Sequence, residues 1–301
     1  MVTVDGKKLA EQIRRDVAKE TAEIKRQGGN ICFAAVVVGD NPASLLYIDK
    51  KKKACEEVGI EMRVFAIECA EERAQGEVFV TTAKGGHECH YLQGELNALL
   101  AQLSKDKKVN GILLQLPLPQ GLDAHEAISY IAPEKDVDGL TEVNFGKLAT
   151  EQDGLVPCTA LGILHILKSS GVNIEGKNVT VIGRSSIVGK PTSLLLLKEN
   201  ATVTVCHSKT KNLSEHTQKA DIVIAAAGCP KLVRANMVKQ GVVIIDVGIN
   251  REKNGIVGDV DFTEVSKKAS LITPVPGGVG PLTIAFLLKN IIKCFKLQNS
   301  V

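Results

Sequence analysis

The stretch that decides the fold is Val179-Thr180-Val181-Ile182-Gly183-Arg184-Ser185-Ser186-Ile187-Val188-Gly189-Lys190-Pro191. It has the pattern of an apolar strand that enters a glycine turn and then a helix. Backbone N–H groups at such a helix N-terminus can bind a pyrophosphate. The stretch departs from G-x-G-x-x-G, because Ser185 replaces the second glycine and Gly189 lies one position late. A plain tight turn is therefore the alternative interpretation.

Similar patterns repeat on both sides of this stretch. Short apolar runs bounded by Gly, Asn, Asp or Pro alternate with segments of helical period, which is typical of parallel strands covered by helices. The pattern predicts strands over residues 33–38, 111–116, 178–182, 202–206, 221–227 and 242–247, and helices over 43–57, 93–104, 123–132, 188–199 and 282–296. The Gly/Pro-rich segment 274–281 predicts irregular backbone and a candidate ligand contact.

The length and the alternation together predict an α/β protein of two domains. The chain has 301 residues, and single cores stop growing near about 250 to 300 residues. We expect an N-terminal α/β domain over 1–143, with a C-terminal helix over 282–301 packing back on it. A Rossmann-type doubly wound parallel sheet is expected over 144–281.

Composition excludes several classes of protein. The chain is 44% hydrophobic and 24% charged, which excludes a disordered or collagen-like protein. Its 37 Lys and Arg face 34 Asp and Glu for a net charge of +3, and no long basic tract is present, so we expect no nucleic-acid partner. No apolar run approaches the ~18 to 20 residues of a membrane span, and the first residues lack the apolar core of a signal peptide. We therefore expect a cytoplasmic protein with no membrane partner.

The cysteines predict free thiols and no metal site. Eight cysteines are scattered along the chain, which is too sparse for a disulfide framework. The segment His87-Glu88-Cys89-His90 offers metal-ligand side chains but has no second half at structural-zinc spacing. We interpret it as a polar surface loop.

The segment after the second predicted strand indicates the cofactor. An NAD enzyme usually carries an acidic residue about 20 residues after the glycine turn, where it binds the ribose 2′-OH. This chain has Cys206-His207-Ser208-Lys209 there instead. Three residues, Arg184, Ser208 and Lys209, offer hydrogen-bond donors and positive charge that suit a 2′-phosphate. The local chemistry therefore favours NADP over NAD. A solvated lysine and a strand-end serine are the alternative.

A second constellation lies in the N-terminal half. Ser44, Tyr47 and Lys51 are spaced i, i+3 and i+7, which places them on one face of the helix predicted over 43–57. Gln115 interrupts an apolar strand, where a buried amide needs a partner. For Lys51, the alternative to a functional role is an ordinary solvated surface lysine. For Asp136 and Asp138, in the Lys135-Asp136-Val137-Asp138-Gly139 loop, the alternative to a ligand-binding role is turn chemistry.

Five ordered segments resemble the bifunctional methylenetetrahydrofolate dehydrogenase/methenyltetrahydrofolate cyclohydrolase family, over nearly the whole chain. They are Tyr47-Ile48-Asp49-Lys50-Lys51 with Lys53-Ala54-Cys55-Glu56-Glu57-Val58-Gly59-Ile60, Gly111-Ile112-Leu113-Leu114-Gln115-Leu116-Pro117-Leu118-Pro119, Pro133-Glu134-Lys135-Asp136-Val137-Asp138-Gly139-Leu140, Gly183-Arg184-Ser185, and Pro274-Val275-Pro276-Gly277-Gly278-Val279-Gly280-Pro281.

The resemblance implies an enzyme that oxidises 5,10-methylenetetrahydrofolate with NADP and hydrolyses the product to 10-formyltetrahydrofolate. It implies that Lys51 is catalytic, that Tyr47 stacks on folate, that Gln115 holds Lys51 and that Asp138 grips the pterin. The other implied folate contacts are Leu114, Leu116, Pro276, Gly277, Gly278 and Val279, and the implied NADP contacts are Gly183, Arg184, Ser185, Ser208 and Ile249. It also implies a homodimer built through the nucleotide domain.

One segment departs from the family. Between Lys51 and Gln115 the chain is about twenty residues longer than we expect for this family, with the excess near residues 76–93, and insertions of this length are normally tolerated in surface loops. An ordered elaboration, a flexible loop and a gene-prediction artefact are open alternatives. Two other functions stay open beside the bifunctional one: a monofunctional dehydrogenase and a silent NADP-binding regulatory protein.

Overall fold

The computed structural model describes residues 1–67, 78–82, 88–253 and 255–299, which group into two compact units. We call residues 14–146 and 288–301 the three-stranded unit, and residues 1–13 and 147–287 the six-stranded unit, after their main sheets. In the described part of the chain, no helix is long and apolar enough to cross a membrane. The domain boundaries predicted after residues 143 and 281 stay predictions.

The helices are α1 Gly6–Arg26, α2 Pro42–Val58, α3 Gln93–Lys105, α4 Ala124–Ser129, α5 Glu142–Ala149, α6 Cys158–Ser169, α7 Gly189–Lys198, α8 Leu213–Lys219, α9 Phe262–Val265 and α10 Val279–Asn299. Short 3₁₀ turns cover Pro133–Lys135 and Ala235–Met237. The strands are β1 Val2–Thr3, β2 Cys32–Val38, β3 Glu61–Ile67, β4 Val78–Thr82, β5 Glu88–Leu92, β6 Gly111–Leu114, β7 Asn178–Ile182, β8 Thr202–Cys206, β9 Ile222–Ala225, β10 Val243–Asp246, β11 Asn250–Glu252, β12 Gly255–Val257 and β13 Leu271–Ile272.

The six-stranded unit contains a parallel sheet in the order β1-β13-β10-β9-β7-β8. The chain leaves β7 for β8 on one side and returns to pair β9 on the other side, so a topological switch point lies between β7 and β9. Ligands of doubly wound sheets bind at the carboxyl ends of the strands beside such a point. The predicted Rossmann-type sheet is confirmed, and its strands 178–182 and 202–206 have the predicted bounds.

The three-stranded unit contains a parallel sheet in the order β3-β2-β6. Every residue of β2 is buried, because this apolar run is the central strand and is covered on both faces. Leu96, Leu100 and Leu103 of α3 pack in the same core as the alternate residues of β2 and β6. The predicted combination of two α/β domains is thereby confirmed.

The differences from the predicted elements have local causes. Strand β3 was not predicted, because its sequence Glu61-Met62-Arg63-Val64 mixes charged and apolar residues at a sheet edge. Helix α10 begins at Val279, three residues before the predicted start. Pro281 is tolerated there, because N–H groups in the first turn of a helix have no intrahelical acceptor.

The segment near residues 76–93 contains an antiparallel pair, β4 with β5. Residues 88–90 lie in β5 and not in the surface loop that we predicted. His87 lies outside the described residues. Among the described residues, no group of three or more His, Cys, Asp or Glu side chains is placed to hold a metal ion.

Candidate functional site

Helix α2 carries Tyr47 and Lys51, and its two ends are fixed by capping. The side chain of Asn41 accepts hydrogen bonds from the backbone N–H groups of Ala43 (2.9 Å) and Ser44 (3.3 Å), which satisfies N-terminal donors of the helix. Pro42 occupies the first helical position, where its fixed φ suits a helix. Gly59 ends the helix with a φ of 78°, a left-handed conformation that favours glycine.

Lys51 and Gln115 contact each other, although 64 residues separate them in sequence. The Nζ atom of Lys51 donates a hydrogen bond of 2.9 Å to Oε1 of Gln115. The Gln115 side chain is 9% exposed, and its Nε2 atom donates to the backbone oxygen of Leu116 at 2.7 Å. Both ends of this amide are therefore used, and its oxygen is turned toward the lysine. The neighbours Leu114 (buried) and Leu116 (half-buried) pack in the apolar core on either side of it.

The same face of α2 carries two further features. The hydroxyl of Ser44 is buried, and no hydrogen-bond partner for it lies in the described part of the chain. The ammonium of Lys50 lies 5.6 Å from the ring centroid of Tyr47, within the range of a cation–π interaction. The half-buried Tyr47 ring thus has a cation at one face.

The loop that carries Asp138 is held by its neighbours. The carboxylate of Asp136 accepts hydrogen bonds from the backbone N–H of Thr141 (2.8 Å) and from Nδ2 of Asn144 (3.0 Å), so Asp136 performs the turn chemistry given as its alternative. Asn290 of α10 donates to the backbone oxygen of Val137 at 2.8 Å. Asp138 itself is half-buried. Sequence reasoning missed Asn144 and Asn290, whose signal is an amide side chain at a buried helical position.

The glycine turn of the six-stranded unit follows β7 at the switch point. Gly183 has a φ of 126°, and a Cβ there would overlap the backbone oxygen of Ala226, which follows β9. A Cβ on Gly189 would overlap the backbone oxygen of Gly183. Only glycine fits at both positions, because the turn packs directly against the backbone that follows β9 and against the start of α7.

The polar groups around this turn are exposed. The side chains of Arg184, Ser208 and Lys209 are exposed and present donors and positive charge. Ser185 already has partners within the turn. Its Oγ accepts hydrogen bonds from the backbone N–H groups of Val188 (3.2 Å) and Gly189 (3.4 Å) at the start of α7. The chemistry of this set fits a phosphate beside a helix N-terminus.

The loop 274–279 lies against the N-terminus of α1 within the six-stranded unit. Gly277 has a φ of 107°, and the N–H of Gly278 donates to the backbone oxygen of Pro274 at 2.9 Å. A Cβ on Gly6 would overlap the backbone oxygen of Gly278 and would come within 2.7 Å of that of Gly277. Gly6 therefore allows the loop to approach the helix. The remaining predicted residues, Pro276 (exposed) and Val279 (buried), lie in the same turn.

Two buried carboxylates lie beside the predicted contact Ile249, and sequence reasoning missed both. Asp246 ends strand β10 and is 3% exposed; burial raises its pKa to about 6, although three backbone N–H donors oppose the shift. Asp259 is 0% exposed. Ile249 is 51% exposed. An acidic residue at the end of an apolar strand was the available signal for Asp246.

Two family models match this chain. The catalytic domain of tetrahydrofolate dehydrogenase/cyclohydrolase matches residues 4–138, and the NAD(P)-binding domain of the same family matches residues 157–299. The chain belongs to the tetrahydrofolate dehydrogenase/cyclohydrolase family. The first match contains Tyr47, Lys51, Gln115 and Asp138; the second contains the glycine turn, Ser208 and Ile249.

This chain aligns with individual members of the family over nearly their full length. The bifunctional protein FolD of Agathobacter rectalis is 47% identical over 294 residues, covering 97% of this chain and 98% of the relative. The structure of bifunctional FolD from Campylobacter jejuni matches with a TM-score of 0.90 at 46% identity and covers 100% of both chains. The Trypanosoma brucei dehydrogenase-cyclohydrolase, solved with NADP and an inhibitor, matches with a TM-score of 0.88 at 35% identity over 100% of this chain and 99% of that one.

The contact between Gly6 and the loop 274–279 generates a test. Gly6→Ala forces backbone atoms apart, and we expect a loss of about 1 to 3 kcal/mol in the free energy of unfolding, measured by urea denaturation. Gly280→Ala is the matched control, because a Cβ at Gly280 meets nothing within 4 Å. Equal midpoints for Gly6→Ala and the unmodified chain would contradict the close approach.

Proposed function

We propose that this chain oxidises 5,10-methylenetetrahydrofolate to 5,10-methenyltetrahydrofolate with NADP and then hydrolyses that product to 10-formyltetrahydrofolate. The observation that carries the proposal is the hydrogen bond between Lys51 and Gln115, in a chain that matches both domain models of the family. The bifunctional names of relatives with 97% coverage support it. We assign folate to residues 1–143 with the helix 282–301, and NADP to residues 144–281.

The dehydrogenase step needs orientation more than proton transfer. The reacting carbon of 5,10-methylenetetrahydrofolate lies between two nitrogens whose lone pairs can expel a hydride, so no general base is required. When bound, NADP supplies the hydride acceptor. In our proposal the Tyr47 ring stacks on the folate, Asp138 accepts hydrogen bonds from the pterin, and Leu114, Leu116 and the loop residues Pro276, Gly277, Gly278 and Val279 also contact the folate.

The cofactor site is proposed from the donors around the glycine turn. Gly183 and Gly189 allow the turn to pack closely against the start of α7, and Ser185 orders the first amides of α7. The exposed Arg184 and Ser208 would bind the 2′-phosphate, and no carboxylate occupies residues 206–209. Ile249 would contact the nicotinamide half. The NAD(P)-binding match over residues 157–299 and the NADP-bound relative support this assignment.

The cyclohydrolase step needs a group that moves protons near neutral pH. Water attacks the methenyl cation, and the ring then opens as one C–N bond breaks. We assign these proton transfers to Lys51. Lys51 is half-buried, and its Nζ atom lies 2.9 Å from Oε1 of Gln115, so the amino group has a defined position. Gln115 would orient it, because general acid–base catalysis requires a fixed distance to the proton that is moved.

The Lys51 assignment has a direct test. We expect Lys51→Met to lower the rate of methenyltetrahydrofolate hydrolysis by at least about 100-fold, the usual contribution of a positioned acid–base group, while NADP affinity is retained. The absorbance of the methenyl compound measures the rate. Lys52→Met, which removes the adjacent exposed lysine, is the matched control and should hydrolyse normally. Unchanged hydrolysis by Lys51→Met would overturn the assignment, and hydrolysis absent from the unmodified enzyme would favour a monofunctional dehydrogenase.

The cofactor assignment is tested by charge removal. Arg184→Gln should raise the KM for NADP by about 10- to 100-fold, the value of a lost charged hydrogen bond, and should change the KM for NAD by less than about threefold. Lys198→Gln removes an exposed positive charge at the far end of α7, the helix that follows the glycine turn, and should change neither constant. A similar change in both KM values for Arg184→Gln would mean that the arginine does not bind the 2′-phosphate.

We further propose a homodimer built through the nucleotide domain. Strand β8 is an edge strand of the six-stranded sheet and exposes Val205 (39%) beside Thr204, and long exposed edges invite pairing with another chain. We also propose that the enzyme works in the cytosol. There the described cysteines, which are free thiols, would stay reduced.

Sedimentation equilibrium tests the dimer. At micromolar concentration we expect a mass about twice the 32.2 kDa of one chain, since an edge strand paired across subunits hides main-chain groups from water. A single species at the monomer mass over the same concentration range would contradict the proposal.

A further inference from the structure

The carboxylate of Asp259 fills a nest of consecutive backbone amides. Its Oδ2 accepts hydrogen bonds from the N–H groups of Ala227 (2.6 Å) and Gly228 (2.9 Å), and its Oδ1 accepts from the N–H of Cys229 (2.9 Å). Successive N–H groups that converge in this way bind anions. The chain therefore uses its own carboxylate to shape the loop that follows β9.

The same carboxylate also holds the loop that follows β10. Oδ1 of Asp259 accepts a hydrogen bond from Nδ2 of Asn250 at 2.8 Å. A Cβ on Gly248 would overlap this oxygen, so the loop passes directly against it. Ile249 lies between these two fixed residues and is nevertheless half exposed. Its backbone is thus fixed on both sides while its apolar side chain is accessible for contact with a ligand.

Asp246 fixes the position of Asp259. Its Oδ1 accepts from the backbone N–H groups of Gly248 (3.0 Å) and Asp259 (2.9 Å), and its Oδ2 accepts from the N–H of Val260 (3.0 Å). A Cβ on Gly258 would overlap its Oδ2. The two carboxylates and two glycines form one packed unit at the carboxyl ends of β9 and β10.

This unit adjoins the glycine turn that follows β7. The backbone of Ala226, immediately before the nest, is the group that excludes a Cβ from Gly183. The loops after β7, β9 and β10 meet at the edge of the sheet where doubly wound folds bind dinucleotides. The shape of two of these three loops depends on Asp259.

We propose that Asp259 is a positioning residue for the dehydrogenase reaction, which holds the loops 226–229 and 247–250 in the shape that receives the nicotinamide half of NADP. It acts through Ile249 and the amides of residues 227–229, and it does not itself touch the cofactor. The proposal rests on the function proposed above. Four N–H groups face the Asp259 side chain, and it accepts a hydrogen bond from each of them.

Asp259→Asn tests the proposal with a nearly isosteric change. It places an NH₂ group where one oxygen accepts hydrogen bonds, so at least one amide of the nest loses its partner whichever way the new side chain turns. We expect the Kd for NADP, measured by calorimetry, and the KM for NADP to rise by at least about tenfold as preorganisation is lost. Hydrolysis of methenyltetrahydrofolate supplied without NADP should stay within about twofold, since that step uses no cofactor.

Asp261→Asn is the matched control. It makes the same substitution two residues away, at a half-buried side chain that makes no capping hydrogen bond to α9, and should leave the NADP Kd unchanged. Asn250→Ala is the second variant if Asp259→Asn does not fold: it removes one donor and should raise the Kd by about threefold or more.

Three outcomes are separable. Weakened NADP binding with intact hydrolysis supports the positioning role. Unchanged NADP binding by folded Asp259→Asn, or loss of hydrolysis in the same proportion as binding, overturns it, because the second pattern indicates a purely structural role. Absence of both activities from the unmodified enzyme contradicts the proposed function instead, and the calorimetric Kd of the variants still decides the role of Asp259.

Discussion

The hydrogen bond between Lys51 and Gln115 is the constraint on which the three-stranded unit depends. A buried glutamine directly after an apolar strand is costly unless both ends of its amide are satisfied. Here the backbone oxygen of Leu116 takes the amide N–H, which fixes the orientation of the group and leaves its oxygen for the ammonium. The backbone N–H of Gln115 extends the parallel ladder to Val36 at 2.8 Å. The lysine is thus tied to the sheet edge and is not a mobile surface side chain.

The two units place their chemistry at the same kind of edge by different means. In the three-stranded unit, side chains do it: Lys51 reaches from a helix to the carboxyl end of β6. In the six-stranded unit, the backbone forms the site. At Gly183, Gly248 and Gly258 the neighbouring atoms leave no room for a Cβ, so only glycine fits. A side-chain site suits proton transfer, which needs one titratable group. A backbone site suits a large anionic ligand, which needs many amides and close approach.

The sequence alone predicted the elements whose signals are local. The strands 178–182 and 202–206 were predicted to the residue, because both are rich in β-branched residues and the first ends at Gly183. The start of α10 was wrong, because the rule against proline does not apply in a first helical turn. Helical spacing and the family resemblance identified Lys51, among the four consecutive lysines 50–53, as the candidate. That spacing could not show the cation–π contact of Lys50, since it depends on how a flexible side chain folds over Tyr47.

The contacts of Asp246 and Asp259 could not be predicted from the sequence, for a different physical reason. Their partners are backbone amides, which carry no sequence signal, and residues 227–229 lie about thirty positions before Asp259. Two buried carboxylates side by side would be costly in isolation. Seven hydrogen bonds from backbone and Asn250 donors offset that cost here. The same bonds satisfy amides that the ends of parallel strands would otherwise leave unpaired. Burial of the two carboxylates and order in the loops therefore depend on each other. A loop that is ordered before the ligand arrives loses less entropy on binding.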